Sequence, residues 1–358
     1  MNVLGIETSC DENAAAVVKD GRQLLSNVVL SQVDLHKLYG GVVPEVAARS
    51  HIEVMTPTID QAIDQSGLSW DEIDAVCVAN GPGLGGSLLI GTLAARTLAL
   101  IKNKPLYGVH HALGHVYANF IDWDHSAKAK LDLSTATAWA EPEFELLALI
   151  VSGGHSHLVL LSDHQSYRLL GQTQDDAVGE AFDKVAKLLG LAYPGGPSIE
   201  AAAKAGHPDF LKLPKASMPG FDYSFSGLKT AVLRAVQALV GVDYNFPSTE
   251  LANKLNKTQI SDIAASFQRI AIETLVDTAE SAYSQFRPKT VVIAGGVAAN
   301  SELRRQLAKR LPLDIRYAPI SLCTDNAAMI AALGFYRARA KAAPDSPFKL
   351  DINPSLVL

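Results

Sequence analysis

The chain has 358 residues, 48% of them hydrophobic and 19% charged, and a net charge of −6. That is enough apolar matter for two ordinary cores, and it excludes general disorder. It also excludes a protein that grips nucleic acid by overall charge, since such chains are basic, so a nucleic-acid role would need a local patch or a helper.

The first segments, Val3 to Ile6 and Ala14 to Val18, are apolar runs flanking Thr8-Ser9-Cys10-Asp11-Glu12-Asn13, a strand–polar turn–strand pattern. The start of the chain has no basic stretch leading into a long apolar one, so no secretory signal is expected. Val46 to Gln65 reads as a helix, and Ala75 to Ala79 as a buried strand ending at Gly81-Pro82-Gly83. Ser87 to Ile101 reads as a buried helix too short to span a bilayer, and Leu106 to Val109 as the next strand. Asp122 to Glu145 is polar and reads as a linker or insertion. The opening pattern then returns: Leu147 to Val151, Ser152-Gly153-Gly154-His155-Ser156, and Leu158 to Leu161, which suggests an internal duplication. Asp183 to Leu189 and Ile260 to Phe286 read as helices, Val291 to Ala294 as a strand ending in Gly295-Gly296, and 325–342 as the last long helix. Residues 343–358, with their prolines, read as a loosely packed tail. Strand–glycine–helix alternation argues an α/β fold. The expected domains are an N-terminal lobe 1–121 with helix 325–342 packing back on it, an insertion 122–145, a C-terminal lobe 146–324 and the tail. The scattered cysteines, Cys10, Cys77 and Cys323, form no CxxC pair and fit a reducing, cytoplasmic setting with no membrane role.

Two features carry chemistry. His111 and His115 are spaced i, i+4, so both imidazoles leave one helix face and can share a metal ion; the alternative is a pair of capping or surface histidines. Ala112 follows His111 where a zinc protease would carry its glutamate base, which argues against that chemistry. Asp325, at the start of the final helix, reads on its own as an N-cap. The second feature is four glycine loops at strand ends or helix starts: Gly81 to Ser87, Ser152 to His155, Pro194 to Pro197, and Gly295 to Asn300. Such loops can present backbone N–H groups to an anion, or simply turn the chain tightly. Asp183 reads either as an acceptor for a ribose hydroxyl or as a helix surface charge. Asn300 adds a side-chain amide, and Arg304, Arg305, Lys309 and Arg310 read as a solvated helix face.

In order and spacing, the stretches GIETSCDE, GGVVPEVAARSH, GPGLGGSLLIG, HHALGH, VSGGHSHL, DDAVGEAFDK, YPGGP, FDYSFSGLKTAV, GGVAANSELR and CTDNAAMIA resemble the universal tRNA adenosine threonylcarbamoyltransferase family in its bacterial form. The resemblance runs almost end to end, outside only the 122–145 region and the tail. It implies an actin/Hsp70/sugar-kinase type of α/β fold, two duplicated lobes around a cleft. It implies that His111, His115 and Asp325 hold one metal ion per subunit, usually iron and sometimes zinc. It places the adenylate substrate on Ile150, Val151, Ser152, Gly153, Gly154, Asp183, Gly196 and Asn300, with His155 beside them. The implied reaction moves a threonylcarbamoyl group from threonylcarbamoyl-AMP to N6 of adenosine 37 in tRNAs reading ANN codons, releasing AMP. Asp11 and Glu12 are the candidate bases for the N6 proton. A paralogous subunit and a P-loop ATPase are the implied partners, with helical stretches around 46–65 and 87–120 as candidate interface.

There are two departures from the family pattern: Ala112-Leu113 stands where Met-Glu is usual, and Asn13 where a threonine is usual. Neither is a ligand position. The rivals are a small-molecule kinase of the same fold class, which would use Mg²⁺ with oxygen ligands, and a non-enzymatic nucleotide-binding module.

Overall fold

The computed structural model describes residues 1–122 and 141–358. The core of the 122–145 insertion therefore lies outside the described residues. The chain forms two compact units, one of 1–143 with 318–358 and one of 144–317.

The first unit is built on a five-stranded mixed sheet. Its strands are β1 (Asn2–Glu7), β2 (Glu12–Lys19), β3 (Gln23–Ser31), β4 (Ala75–Gly81) and β5 (Leu106–His110), in the order β3-β2-β1-β4-β5. β1 runs antiparallel to β2 and parallel to β4. The apolar run Val3 to Ile6 is wholly buried, as expected of a central strand covered on both faces. One face meets Met55, Ile59 and Ile63 of helix Pro44–Ser66 and Ala95 and Ala99 of helix Gly85–Ile101. On the other lies helix Ala327–Arg339, whose residues from Ala327 to Tyr336 are all buried. This helix is apolar all round because it is buried all round. It sits close to the sheet because Gly5 has no side chain: a Cβ there would lie 2.2 Å from the carbonyl oxygen of Ala327.

The second unit repeats the plan. Its strands are β6 (Leu146–Val151), β7 (Ser156–Leu161), β8 (Tyr167–Gln172), β9 (Thr290–Ala294) and β10 (Ile315–Tyr317), in the order β10-β9-β6-β7-β8. β6 is antiparallel to β7 and parallel to β9, just as β1 relates to β2 and β4. The duplication extends to the turns. Gly83, beyond β4, comes so close to Ser9 that a Cβ would lie 2.5 Å from its carbonyl oxygen. Gly295, beyond β9, stands at 2.4 Å from the carbonyl of Val151 in the same way.

Two expectations are corrected. Helix Gly85–Ile101 is not a buried helix: Leu89, Leu93, Leu100 and Ile101 are between 41% and 67% exposed along one side of it. Residues 343–358 are not loose either. Leu350 packs on the core of the first unit, Arg96 donates to the carbonyls of Pro347 and Phe348, and Asn353 N–H donates to Asn80 O at 2.7 Å.

One stability prediction arises here. Burial holds the His157 imidazole on β7 down at about 4. A base whose folded pKa lies below its unfolded value of about 6.5 binds its proton more readily in the unfolded chain. Stability is therefore intact above pH 6.5 and falls as pH drops from there towards 4. Urea midpoints should decline over that window, with His157→Leu flattening the slope by roughly 1–2 kcal/mol across it. An unchanged slope in the variant would refute the assignment.

Candidate metal and nucleotide sites

β5 delivers the chain into helix His111–Ala118, every residue of which is buried. His110 is its N-cap, with Nδ1 accepting from Ala112 N–H at 3.2 Å. Its Nδ1 is thus engaged by the backbone. His111 and His115 project together, ring centroids 4.9 Å apart. Against them stands Asp325, whose Oδ1 is 3.1 Å from His115 Nε2 and 3.6 Å from His111 Nε2. One ligand atom from each of the three lies within 4.8 Å of the others.

The capping alternative for Asp325 fails on inspection of the helix start. Asn326 is the N-cap of helix Ala327–Arg339, its side chain accepting from Met329 N–H at 3.0 Å. Asp325 precedes the cap and turns to the histidines instead.

His111 is oriented from behind. Its Nδ1 sits 2.9 Å from Glu7 Oε2 and 3.0 Å from Ser9 Oγ. A carboxylate only accepts, so Nδ1 carries a hydrogen, and Nε2 is the ring nitrogen left facing Asp325, at 3.6 Å. This carboxylate–histidine arrangement is how metal-binding imidazoles are usually braced. Burial disfavours charge on His111, but the carboxylates of Glu7 and Asp325 outweigh it and raise the group to about 9. His115 gives the complementary signal: both ring nitrogens are buried, and neither makes a hydrogen bond among the described residues. Buried polar nitrogens are normally satisfied. Two nitrogen donors and one carboxylate form a set suited to a transition-metal ion, and a cation would satisfy His115 Nε2.

Asp11 and Glu12 follow β1 in the same unit. Asp11 is buried, and Glu12 Oε1 accepts from Ser31 Oγ at 3.1 Å. Burial, then the charges of Asp325 and Asp11, push the Glu12 carboxyl up to about 9. Glu12 therefore holds its proton at neutral pH unless a cation offsets Asp325. Asn13 is buried and pairs with His51 Nδ1 at 3.1 Å, while His51 Nε2 meets the carbonyl of Cys10 at 2.9 Å. Glu7, Ser9 and His51 were not singled out from sequence. A glutamate ending an otherwise apolar strand was the available signal for Glu7.

The glycine loops divide into closed and open ones. Gly81 to Ser87 is closed: Gly83 N–H donates to Pro354 O, Leu84 N–H donates to Ser9 O, and Asn353 crowds Gly81. It is a tight turn whose Gly83 and Leu84 N–H groups are taken by the chain itself, in line with the turn alternative for that loop. In the second unit Ile150 and Val151 are buried, so only their backbone can meet a ligand. Ser152 N–H donates to His155 O at 2.8 Å, closing a turn that leaves Gly153 and Gly154 exposed. A Cβ at Gly153, Gly154 or Gly196 would touch nothing within 4 Å, and none of these has a positive φ. Neither packing nor a positive φ demands glycine at these positions, and the open space beside them leaves room for a ligand to approach the backbone. Asp183, on helix Val178–Leu188, accepts from Gly195 N–H at 2.6 Å and so ties that helix to the Pro194–Gly196 turn. Asn300 is a buried N-cap that accepts from Leu303 N–H at 3.0 Å and donates to Gln268 Oε1 at 3.0 Å. Both ends of its amide serve the fold before any ligand does.

The family profile described as TsaD, tRNA N6-adenosine threonylcarbamoyltransferase, matches residues 23–332. The chain belongs to the tRNA N6-adenosine threonylcarbamoyltransferase family. It is 47% identical over 366 residues to the protein of that name from Thermomicrobium roseum, covering 100% of this chain and 97% of that one. It is 48% identical over 355 residues to the one from Symbiobacterium thermophilum, covering 98% and 94%. Among solved structures, T. kodakarensis HypF superposes with a TM-score of 0.61 at 15% identity, over 95% of this chain and 48% of that one. That likeness speaks for the fold alone, an α/β fold of the actin/Hsp70/sugar-kinase type with two duplicated lobes, and it matches the repeated strand order. Membership in the threonylcarbamoyltransferase family makes the chain a transferase and disfavours the kinase reading.

Proposed function

We propose that the chain transfers the threonylcarbamoyl group of threonylcarbamoyl-AMP to N6 of adenosine 37 in tRNAs that read ANN codons, releasing AMP. As a member of its family it acts on tRNA. The observation that supports the rest best is the meeting of His111, His115 and Asp325, a nitrogen-rich donor set that a Mg²⁺-dependent kinase would not need.

The reaction is an acyl transfer: the N6 amine attacks the carbonyl of a mixed anhydride with phosphate, and AMP leaves. A metal held by the three ligands, Fe²⁺ first and zinc second, would act there as a Lewis acid. The protein's own residues supply the remainder. Glu7 and Ser9 keep the His111 ring in one tautomer and one orientation. The open glycines at 153, 154 and 196 admit the nucleotide to backbone distance, with Asp183 beside them. N–H groups fixed in such a loop stabilise developing charge without reorganising. Glu12 and Asp11 are the candidate bases for the N6 proton. With a cation held at Asp325, the Glu12 carboxyl would fall from about 9 towards the range where a general base works.

Two further readings belong with this one. The net charge of −6 favours recruitment of tRNA with help from a paralogous subunit and a P-loop ATPase. The exposed leucines of helix Gly85–Ile101 and Ile52 of the neighbouring helix offer an apolar surface for the former. Residues 111–118, within the expected 87–120 stretch, are buried and present no such surface. Among the described residues no helix is long and apolar enough to cross a membrane, in keeping with work in the cytoplasm.

The test is reconstitution. Purified protein, metal, threonylcarbamoyl-AMP, the two partners and unmodified tRNA should yield N6-threonylcarbamoyladenosine in the nucleoside digest. ADP formed from ATP and a polyol, with no modified nucleoside, would overturn the proposal in favour of the kinase.

A further inference from the structure

We propose that Asp345, on the C-terminal segment, is a positioning residue for the metal-binding helix. The inference rests on the reading of His111, His115 and Asp325 as ligands.

β5 is the edge strand of its sheet, so the outward backbone groups of Leu106 and Gly108 have no strand partner. The C-terminal segment takes them. Asp345 N–H donates to Leu106 O at 2.8 Å, and Gly108 N–H donates to Asp345 Oδ2 at 2.8 Å. Gly108 O accepts from the guanidinium of Arg337, which also meets Asp345 Oδ2 at 3.1 Å. Gly108 is therefore held at both its N–H and its C=O by a charged pair. The seat is specific: a Cβ at Gly108 would lie 2.7 Å from Leu350 of the same segment.

The two sides of this clamp are the two elements that carry the ligands. Gly108 lies on the strand that runs directly into His111. Arg337 lies in the last turn of helix Ala327–Arg339, which begins just after Asp325. The ligand helices also touch directly, with Gly114 facing Ile330 and Met329. That contact is apolar and sets separation, but apolar contact is not directional and leaves sliding along the helix less restricted. A charge-assisted, two-point grip on Gly108 is directional and fixes the register of β5 against the helix. Loss of that register would move His111 relative to Asp325, and a metal site tolerates only a few tenths of an ångström.

The experiment compares wild type with Asp345→Ala and Asp345→Asn. The metal-free forms are read first, by amide hydrogen exchange. Faster exchange in 111–118 for Asp345→Ala, with 44–66 unchanged, is the expected result. Zn²⁺ and Fe²⁺ titrations follow. Asp345→Ala should bind about tenfold more weakly or worse, and Asp345→Asn, which keeps an acceptor for Gly108 N–H, should fall between. A variant with a lower Tm but wild-type exchange in 111–118 and wild-type metal affinity would overturn the inference and leave Asp345 a stability residue. If Asp345→Ala does not fold, Asp345→Asn decides by the same two readouts. If wild type itself takes up neither ion, the ligand reading fails, while the exchange measurement still judges the clamp.

Discussion

Replacing His115 with alanine is expected to abolish stoichiometric metal uptake and to slow single-turnover transfer to tRNA by on the order of 10²–10³-fold, the scale of several kcal/mol of Lewis-acid stabilisation. His115 is the sharpest choice because its two ring nitrogens are buried with no hydrogen bond among the described residues. The truncation therefore removes a ligand whose one close polar neighbour, Asp325 at 3.1 Å, is partly exposed and can be solvated, and the fold should survive. His111→Ala is a poorer probe, since it leaves Glu7 buried without its imidazole. The affinity of the wild-type site should also depend on pH in a defined direction. His111 carries a second proton below about 9 in the metal-free chain, through its neighbours Glu7 and Asp325. Metal must displace the proton on Nε2, so uptake strengthens as pH rises towards 9. Elemental analysis of the purified variant, with titrations at pH 6 and pH 8, checks both points. A His115→Ala protein that keeps one equivalent of metal would exclude the assigned ligand set.

Gly5→Val should have the largest effect on stability. The first added carbon already lies 2.2 Å from Ala327 O and 2.7 Å from Ala331 N–H, backbone atoms that cannot swing away. Either the strand or the buried helix Ala327–Arg339 must shift. Overpacking of this kind costs about 3 kcal/mol or more, a large part of a marginal stability. The displaced helix starts directly beyond Asp325, so whatever protein folds should also lose metal. Gly196→Ala is the matched control: nothing lies within 4 Å and φ is ordinary, so the denaturation midpoint should hold while binding of adenylate weakens. Equal urea midpoints for Gly5→Val and wild type would show that the sheet and helix can part without cost.

The α/β class and the duplication were legible because β1–β2 and β6–β7 are strong apolar runs around polar turns, and such patterns survive without tertiary information. β3 and β8 escaped notice because each has one face outward and a weak alternation, QLLSNVVLS in the first case. Helix Ser301–Arg310 is so polar that only its small buried face, Leu303 and Leu307, marks it. The histidine pair could be read from its spacing, but its partner could not: Asp325 looks like a helix cap until Asn326 is seen to fill that role. Glu7 ends an apolar strand, and only packing reveals that it backs His111. Asn300 shows the reverse case, a residue whose capping work is plain only once Leu303 N–H and Gln268 are seen to claim its amide.

The repeated sheets carry the same crossing twice, yet the copies no longer offer the same surface. In the first, Pro354 and Asn353 fill the mouth of the glycine turn; in the second, Gly153 and Gly154 stand open to solvent. The two copies have thus diverged in what they present: one turn is covered by the C-terminal segment, and the other stays open at Gly153 and Gly154.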